Sequence, residues 1–137
     1  MCKIEHDEDF YESNAKDLTQ VCNYVLAKPE IFCEVNNPNY FDSDVDKGYS
    51  FEKYVNYINN YENEYFDIII IDGRARNACL GNCLAKLRNG GFIIFDNSNR
   101  ERYAASIKSL SDWPSKYFLG SVRGLLSLEQ TQIIFKN

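Results

Sequence analysis

This sequence of 137 residues has one histidine, no Gly-x-Gly and no apolar run near the roughly 18 residues that span a bilayer. Each absence removes a class of function. His6 stands beside an acidic run and no serine sits in a Gly-x-Ser-x-Gly turn, so neither a Ser-His-Asp nor a Cys-His nucleophile is indicated. The only adjacent glycines, Gly90-Gly91, precede an apolar run instead of following one, which is the wrong context for a dinucleotide fingerprint. No charged-then-apolar leader follows Met1, so a soluble, cytoplasmic protein with no membrane partner is expected. Fifteen basic side chains against twenty acidic ones leave a net charge of −5, and the basic residues are scattered, which argues against a nucleic-acid partner. Five cysteines without framework spacing read as reduced thiols. Cys79 and Cys83 lack a second Cys/His pair to complete a tetrahedral metal site and read as small apolar core residues. The length fits one domain over residues 1–137.

What is present is concentrated in the middle of the chain. Phe66-Asp67-Ile68-Ile69-Ile70-Ile71 is a continuous β-branched run, the pattern of a strand covered on both faces, and it stops on Asp72-Gly73. Phe92-Ile93-Ile94-Phe95 ends the same way on Asp96-Asn97. Between them, Ala75, Cys79, Cys83, Leu84 and Leu87 trace a helical stripe that closes on Asn89-Gly90-Gly91. Strand, helix and strand joined by short turns predict parallel strands whose C-terminal ends share one edge, where Asp72, Asp96 and Asn97 converge.

Asp7, Glu8 and Asp9 form the cap and acidic first turn of a helix reaching about Leu18, and residues 21–27 make a second strand. Residues 30–49 carry Asn-rich turns and a weak strand signal at Ile31-Phe32-Cys33, and read as a long surface loop that is a candidate specificity element. Ser50 caps a helix with Phe51, Tyr54, Val55 and Ile58 inward, and Ser98 with Glu101 has capping-box spacing ahead of Tyr103, Ile107 and Leu110. Tyr117-Phe118-Leu119 and residues 131–135, joined through Arg123-Gly124, predict an antiparallel edge pair.

The succession Ile4-Glu5-His6-Asp7, Phe66 to Arg76, Asn89-Gly90-Gly91 and Asp96 to Tyr103, with the closing hairpin, resembles Rossmann-like class I S-adenosylmethionine-dependent methyltransferases. The resemblance implies an α/β fold: a three-layer sheet, mostly parallel, with an antiparallel C-terminal edge hairpin. The family's first strand and its glycine-rich turn have no counterpart, so a truncated or partial domain is expected. The implied activity is methyl transfer from S-adenosylmethionine to an oxygen or nitrogen of a small molecule or saccharide. The alternative is a noncatalytic remnant or partial chain that acts as a binding or assembly module.

Glu5 matches the family's acidic residue at the end of the second strand, which binds the cofactor ribose hydroxyls. A carboxylate can accept from both hydroxyls at once. His6 can flank the adenine or face solvent in a turn. Asp72, with Gly73, matches the position near the methionine moiety and is the candidate catalytic group. Asp72, Asp96 and Asn97 also match the oxygen ligands with which metal-dependent O-methyltransferases of this superfamily bind a divalent cation such as Mg2+, where the bland alternative is a turn contact and a helix cap. Arg74 and Arg76, cations at a helix start, call for a compensating anion: a substrate carboxylate or phosphate, Asp96, or neighbouring loop acids. Arg74, Arg76 and Asn97 are therefore the candidate substrate-binding residues. Oligomeric state is left open.

Overall fold

A computed structural model describes residues 1–31, 48–121 and 128–137, and divides into two compact units. The first comprises Met1–Asn60 and Gly73–Ala78, the second Tyr61–Asp72 and Cys79–Asn137.

In the first unit, β1 (Cys2–Glu5) pairs in parallel with β2 (Asn23–Leu26) across the helix α1 (Glu8–Leu18). The expected cap is present, since the Asp7 side chain accepts a hydrogen bond from the Phe10 amide at 2.9 Å. Tyr11 stacks on the buried Tyr24 with ring centroids 4.6 Å apart, which fixes the helix on the strand pair. Two short strands, β3 (Glu30–Ile31) and β4 (Tyr49–Ser50), pair antiparallel. The Ser50 hydroxyl accepts from the Glu52 amide at 3.3 Å at the start of α2 (Glu52–Asn56), which buries Val55 and continues into a 3-10 turn (Tyr57–Asn60). Most of the expected specificity loop, and the strand signal at Phe32 and Cys33, lie outside the described residues.

The second unit is a four-stranded sheet of β5 (Phe66–Ile71), β6 (Leu87–Phe95), β7 (Ser115–Ser121) and β8 (Leu128–Phe135), in the order β5-β6-β8-β7. The helix α3 (Arg76–Cys83) links β5 to β6. β5 and β6 are parallel, with Ile71 beside Phe95, as the strand-helix-strand pattern predicts. β8 runs antiparallel to both β6 and β7, so the expected edge hairpin forms; Arg123-Gly124 lies outside the described residues.

The three-layer, mostly parallel Rossmann-like sheet is not formed. The strands fall into three separate sheets, and the largest holds one parallel and two antiparallel pairings. Among the described residues the two faces of the four-stranded sheet are unequally buried. Ile69, Ile71, Ile93, Phe95 and Ile134 are buried on one side, with Phe95 edge-on to the Tyr103 ring at 5.3 Å. On the other side Ile68 and Ile70 are 49% and 66% exposed, and their neighbours Phe92, Ile94, Ile133 and Phe135 are half-buried. The β-branched run of β5 thus has the composition of a strand buried on both faces without being one.

Two local expectations also change. The helical stripe does not run to Leu87: α3 ends at Cys83 and Leu87 already belongs to β6, so Asn89-Gly90-Gly91 lies inside the strand. Gly90 there has φ +77°, and the register with β5 jumps between Phe66/Leu87 and Ile68/Phe92, which marks a bulge. Ser98 does not cap a helix. Its hydroxyl donates to the Gln130 carbonyl at 3.1 Å and accepts from Gln130 Nε2 at 2.9 Å, which ties the end of β6 to β8. The following turn (Glu101–Tyr103) and α4 (Ala104–Lys108) start without it.

Cys83 is buried, donates its thiol hydrogen to the Leu80 carbonyl at 3.2 Å, and has its pKa pushed up to about 12, first by burial and then by Cys79. A raised acid pKa means that the folded chain keeps a proton which the unfolded chain loses above its ordinary value of 9.0. Stability is therefore expected to fall as pH rises from 9 towards 12, with this thiol contributing up to about 1.4 kcal/mol per pH unit. Urea unfolding at pH 8, 9 and 10 checks it: Cys83→Ala should show a shallower decline, and parallel slopes would mean that the thiol is not buried. No helix among the described residues is long and apolar enough to cross a membrane.

Candidate functional site

Glu5 ends β1, where the chain turns into α1, and that turn points two backbone amides back at its carboxylate. Oε1 accepts from the His6 amide at 2.8 Å and from the Asp7 amide at 3.1 Å, and His6 Nδ1 lies 3.1 Å from the same oxygen. The Glu5 side chain is 12% exposed, and Oε2 has no hydrogen-bond partner among the described residues. Charge-assisted bonds to one oxygen hold the group rigidly while the other keeps its acceptor capacity. Beside it Tyr24 is buried, its hydroxyl without a hydrogen-bond partner among the described residues, and its pKa is raised by burial first and by the Glu5 carboxylate second.

The His6 ring is held edge-on by Phe51 at 5.6 Å and by Tyr54 at 5.8 Å. The Tyr54 hydroxyl rests on Gly73, where an added Cβ would collide with it. Glu5, His6 and Gly73 are thus joined through Tyr54, a residue that helical spacing alone reads as core or rim. An aromatic on a helical stripe carries no sequence signal for such a contact. A cavity of about 340 Å³ in the same unit is lined by Val25, Leu26, Ala27, Lys53, Asn56 and Tyr57 among others. It begins next to Glu5, since Leu26 is the register partner of Glu5 and the Ala27 amide donates to the Glu5 carbonyl at 2.7 Å.

Arg74 is half-buried, while Arg76 is only 7% exposed and its Nε donates to the Gly73 carbonyl at 2.9 Å. Arg76 thereby supports the turn through Ala75, whose φ of +47° is unusual for a residue with a Cβ. The guanidinium is thus engaged by the carbonyl of its own turn at the helix start.

In the second unit, the register of Ile71 with Phe95 places Asp72 and Asp96 at neighbouring strand ends, as expected, and Asp72 is exposed there. Asp96 Oδ1 accepts from the Thr131 hydroxyl at 2.7 Å, and Asn97, at φ +53°, donates through Nδ2 to Glu129 Oε2 at 2.9 Å. Arg100 Nη2 reaches the other Glu129 oxygen at 3.4 Å. Asp96, Asn97, Glu129 and Thr131 border an open cavity of about 280 Å³ together with the β7 segment from Phe118 to Ser121. Thr131 and Glu129 are absent from the sequence-based site because they lie more than thirty positions away, on β8. The Asp96 oxygen held by Thr131 is less free to turn toward a hard cation, whereas the Asn97 bond to Glu129 runs through its amide nitrogen and does not engage its side-chain oxygen. Among the described residues no group of three or more His, Cys, Asp or Glu side chains could hold a metal ion.

Compared with protein-family models and with curated proteins, the chain has no match.

Proposed function

We propose that this chain is an S-adenosylmethionine-dependent methyltransferase-like protein whose Glu5 carboxylate receives the ribose hydroxyls of the cofactor. The observation that supports the reading most strongly is the state of that carboxylate, fixed through Oε1 with Oε2 open. A diol needs an acceptor that is already oriented, because ordering a free side chain offsets much of the gain. The edge-held His6 ring and the cavity beginning at Leu26 and Ala27 offer an aromatic and apolar surface of the kind a nucleobase uses.

S-adenosylmethionine supplies a methyl group pre-activated on a sulfonium, so the protein's part is alignment and removal of the acceptor's proton. The sequence resemblance names Asp72, an exposed carboxylate at the end of β5 in the second unit, for accepting that proton from an oxygen or nitrogen of a small molecule or saccharide. No step is assigned to a metal.

Calorimetric titration with S-adenosylhomocysteine tests the reading. Charge-assisted hydrogen bonds contribute about 1.5–3 kcal/mol, so Glu5→Ala is expected to weaken binding roughly 10- to 150-fold, and 2′-deoxyadenosine should bind more weakly than adenosine. A folded chain that binds no S-adenosylhomocysteine, or binds it equally well without the Glu5 carboxylate, would sink the proposal. The second reading, a noncatalytic binding or assembly module, draws on a different observation: the open edge of β5.

A further inference from the structure

β5 is the end strand of its sheet, with β6 on one side and no strand on the other among the described residues. In a strand the backbone groups of successive residues turn alternately to opposite neighbours. Ile71 faces β6, because its carbonyl accepts from the Asp96 amide at 3.1 Å, and Asp67 faces it too, because its carbonyl would meet a Cβ on Gly91 at 2.7 Å. By alternation Ile69 faces β6, while the amides and carbonyls of Ile68 and Ile70 point to the open side. Their side chains are also the exposed isoleucines of the strand.

Natural edges are usually blunted by lysine, proline, a short length or a cover. The other edge strand, β7, carries Lys116 and Gly120, whereas β5 has six residues with four consecutive isoleucines and no proline. Its one charge, Asp67, is neutralised by Arg88 of β6.

We infer that β5 is a self-association edge, and that two copies of this chain pair antiparallel through it about a two-fold axis at Ile69. The register follows from the residues. With Ile69 on the axis, Ile68 of each copy faces Ile70 of the other, and the four outward groups on each chain form two doubly hydrogen-bonded pairs. The same register stacks Ile68 against Ile70 on the exposed face, and sets Asp67 opposite Ile71 so that the two carboxylates do not meet. A two-fold consumes both open edges, so growth stops at the dimer. A partner strand of different sequence could satisfy the same four groups, but only the chain's own strand supplies the matching isoleucines without a further component. The contact is one strand wide and falls below the roughly 800 Å² per partner of a standard interface, so the dimer is weak. With −5 on each copy it tightens as salt is added.

This inference deepens the assembly reading and is independent of nucleoside binding. Sedimentation velocity of the full 137-residue chain between 5 µM and 1 mM, at about 0.05 and 0.5 M salt, tests it together with amide hydrogen exchange. The expected result is a monomer–dimer equilibrium, tighter at high salt, with the Ile68 and Ile70 amides gaining protection as concentration rises. Ile70→Pro removes only an outward amide and should weaken the dimer at least tenfold. Ile70→Lys, at an exposed position, should do the same if the proline variant does not fold. S-adenosylhomocysteine affinity should be unchanged in either variant, which separates this inference from the Glu5 proposal. A monomer throughout the range, oligomers beyond the dimer, or a dimer indifferent to both substitutions would overturn it, the first leaving the edge to a strand from a different protein.

Discussion

Replacing Phe95 by alanine is expected to lower the unfolding free energy by about 3–5 kcal/mol, the cost of emptying a large aromatic site that cannot collapse. Phe95 is fully buried and stands on the central strand pair, beside Ile71 on β5 and Gln132 on β8, with the buried Tyr103 ring closing over it. Its loss removes transfer energy, an edge-on aromatic pair, and the surface on which Tyr103 rests. Because natural domains are stable by only about 5–15 kcal/mol, the variant should unfold at much lower urea. Phe92→Ala is the matched control. Phe92 has the same chemistry three positions earlier on the same strand, but it faces the half-exposed side against Phe135 at 5.8 Å. It is expected to cost less than half as much. Equal losses in a urea titration of the two variants would mean that the two faces of this sheet are not as different as their burial indicates.

The second large effect is expected at Gly91. A Cβ there would lie 2.7 Å from the Asp67 carbonyl oxygen, 3.0 Å from that of Arg88 and 2.9 Å from Leu87 Cδ1. Two of those three neighbours are backbone, so they cannot swing aside, and β5 and β6 must part where Asp67 passes the bulge. Gly91→Ala is expected to destabilise the chain by about 1–3 kcal/mol, the usual range for overpacking. Gly81→Ala should act in the opposite direction. Gly81 is exposed within α3 with nothing within 4 Å of the added carbon, and removing a helical glycine stabilises by roughly 0.5–1 kcal/mol. Opposite signs for two identical substitutions, read from urea midpoints at constant m-value, are the result to look for. A neutral Gly91→Ala would show that the strands do not approach as closely as described.

Much of the secondary structure was legible because it rests on local chemistry. The Asp7 cap, the parallel β5 and β6, the hairpin of β7 and β8, and the adjacency of Asp72 and Asp96 follow from short-range pattern. The miscast elements share a different cause. Gly90-Gly91 has the same composition in a helix terminator and in a strand bulge, and only the Asp67 backbone on the neighbouring strand decides between them. Ser98 and Glu101 have the spacing of a capping box, but Gln130 competes for the Ser98 hydroxyl from β8. In the candidate site, Glu5, His6 and Gly73 could be named from the sequence, whereas their link through Tyr54 could not.

By itself the sequence determined the main helices and strands, the parallel pairing of β5 with β6, the scatter of basic residues along the chain, and the acidic groups that end the strands. These are matters of periodicity, turn chemistry and charge, each set within a few residues. The tertiary structure alone decided how many sheets those strands build, which face of β5 is covered, and that Thr131 and Glu129 bond the side chains of Asp96 and Asn97. A run such as Phe66 to Ile71 is apolar on both sides, so it states that both faces can be buried and cannot state what buries them. That depends on partners distant in the chain, or, for the open side of β5, on a second strand.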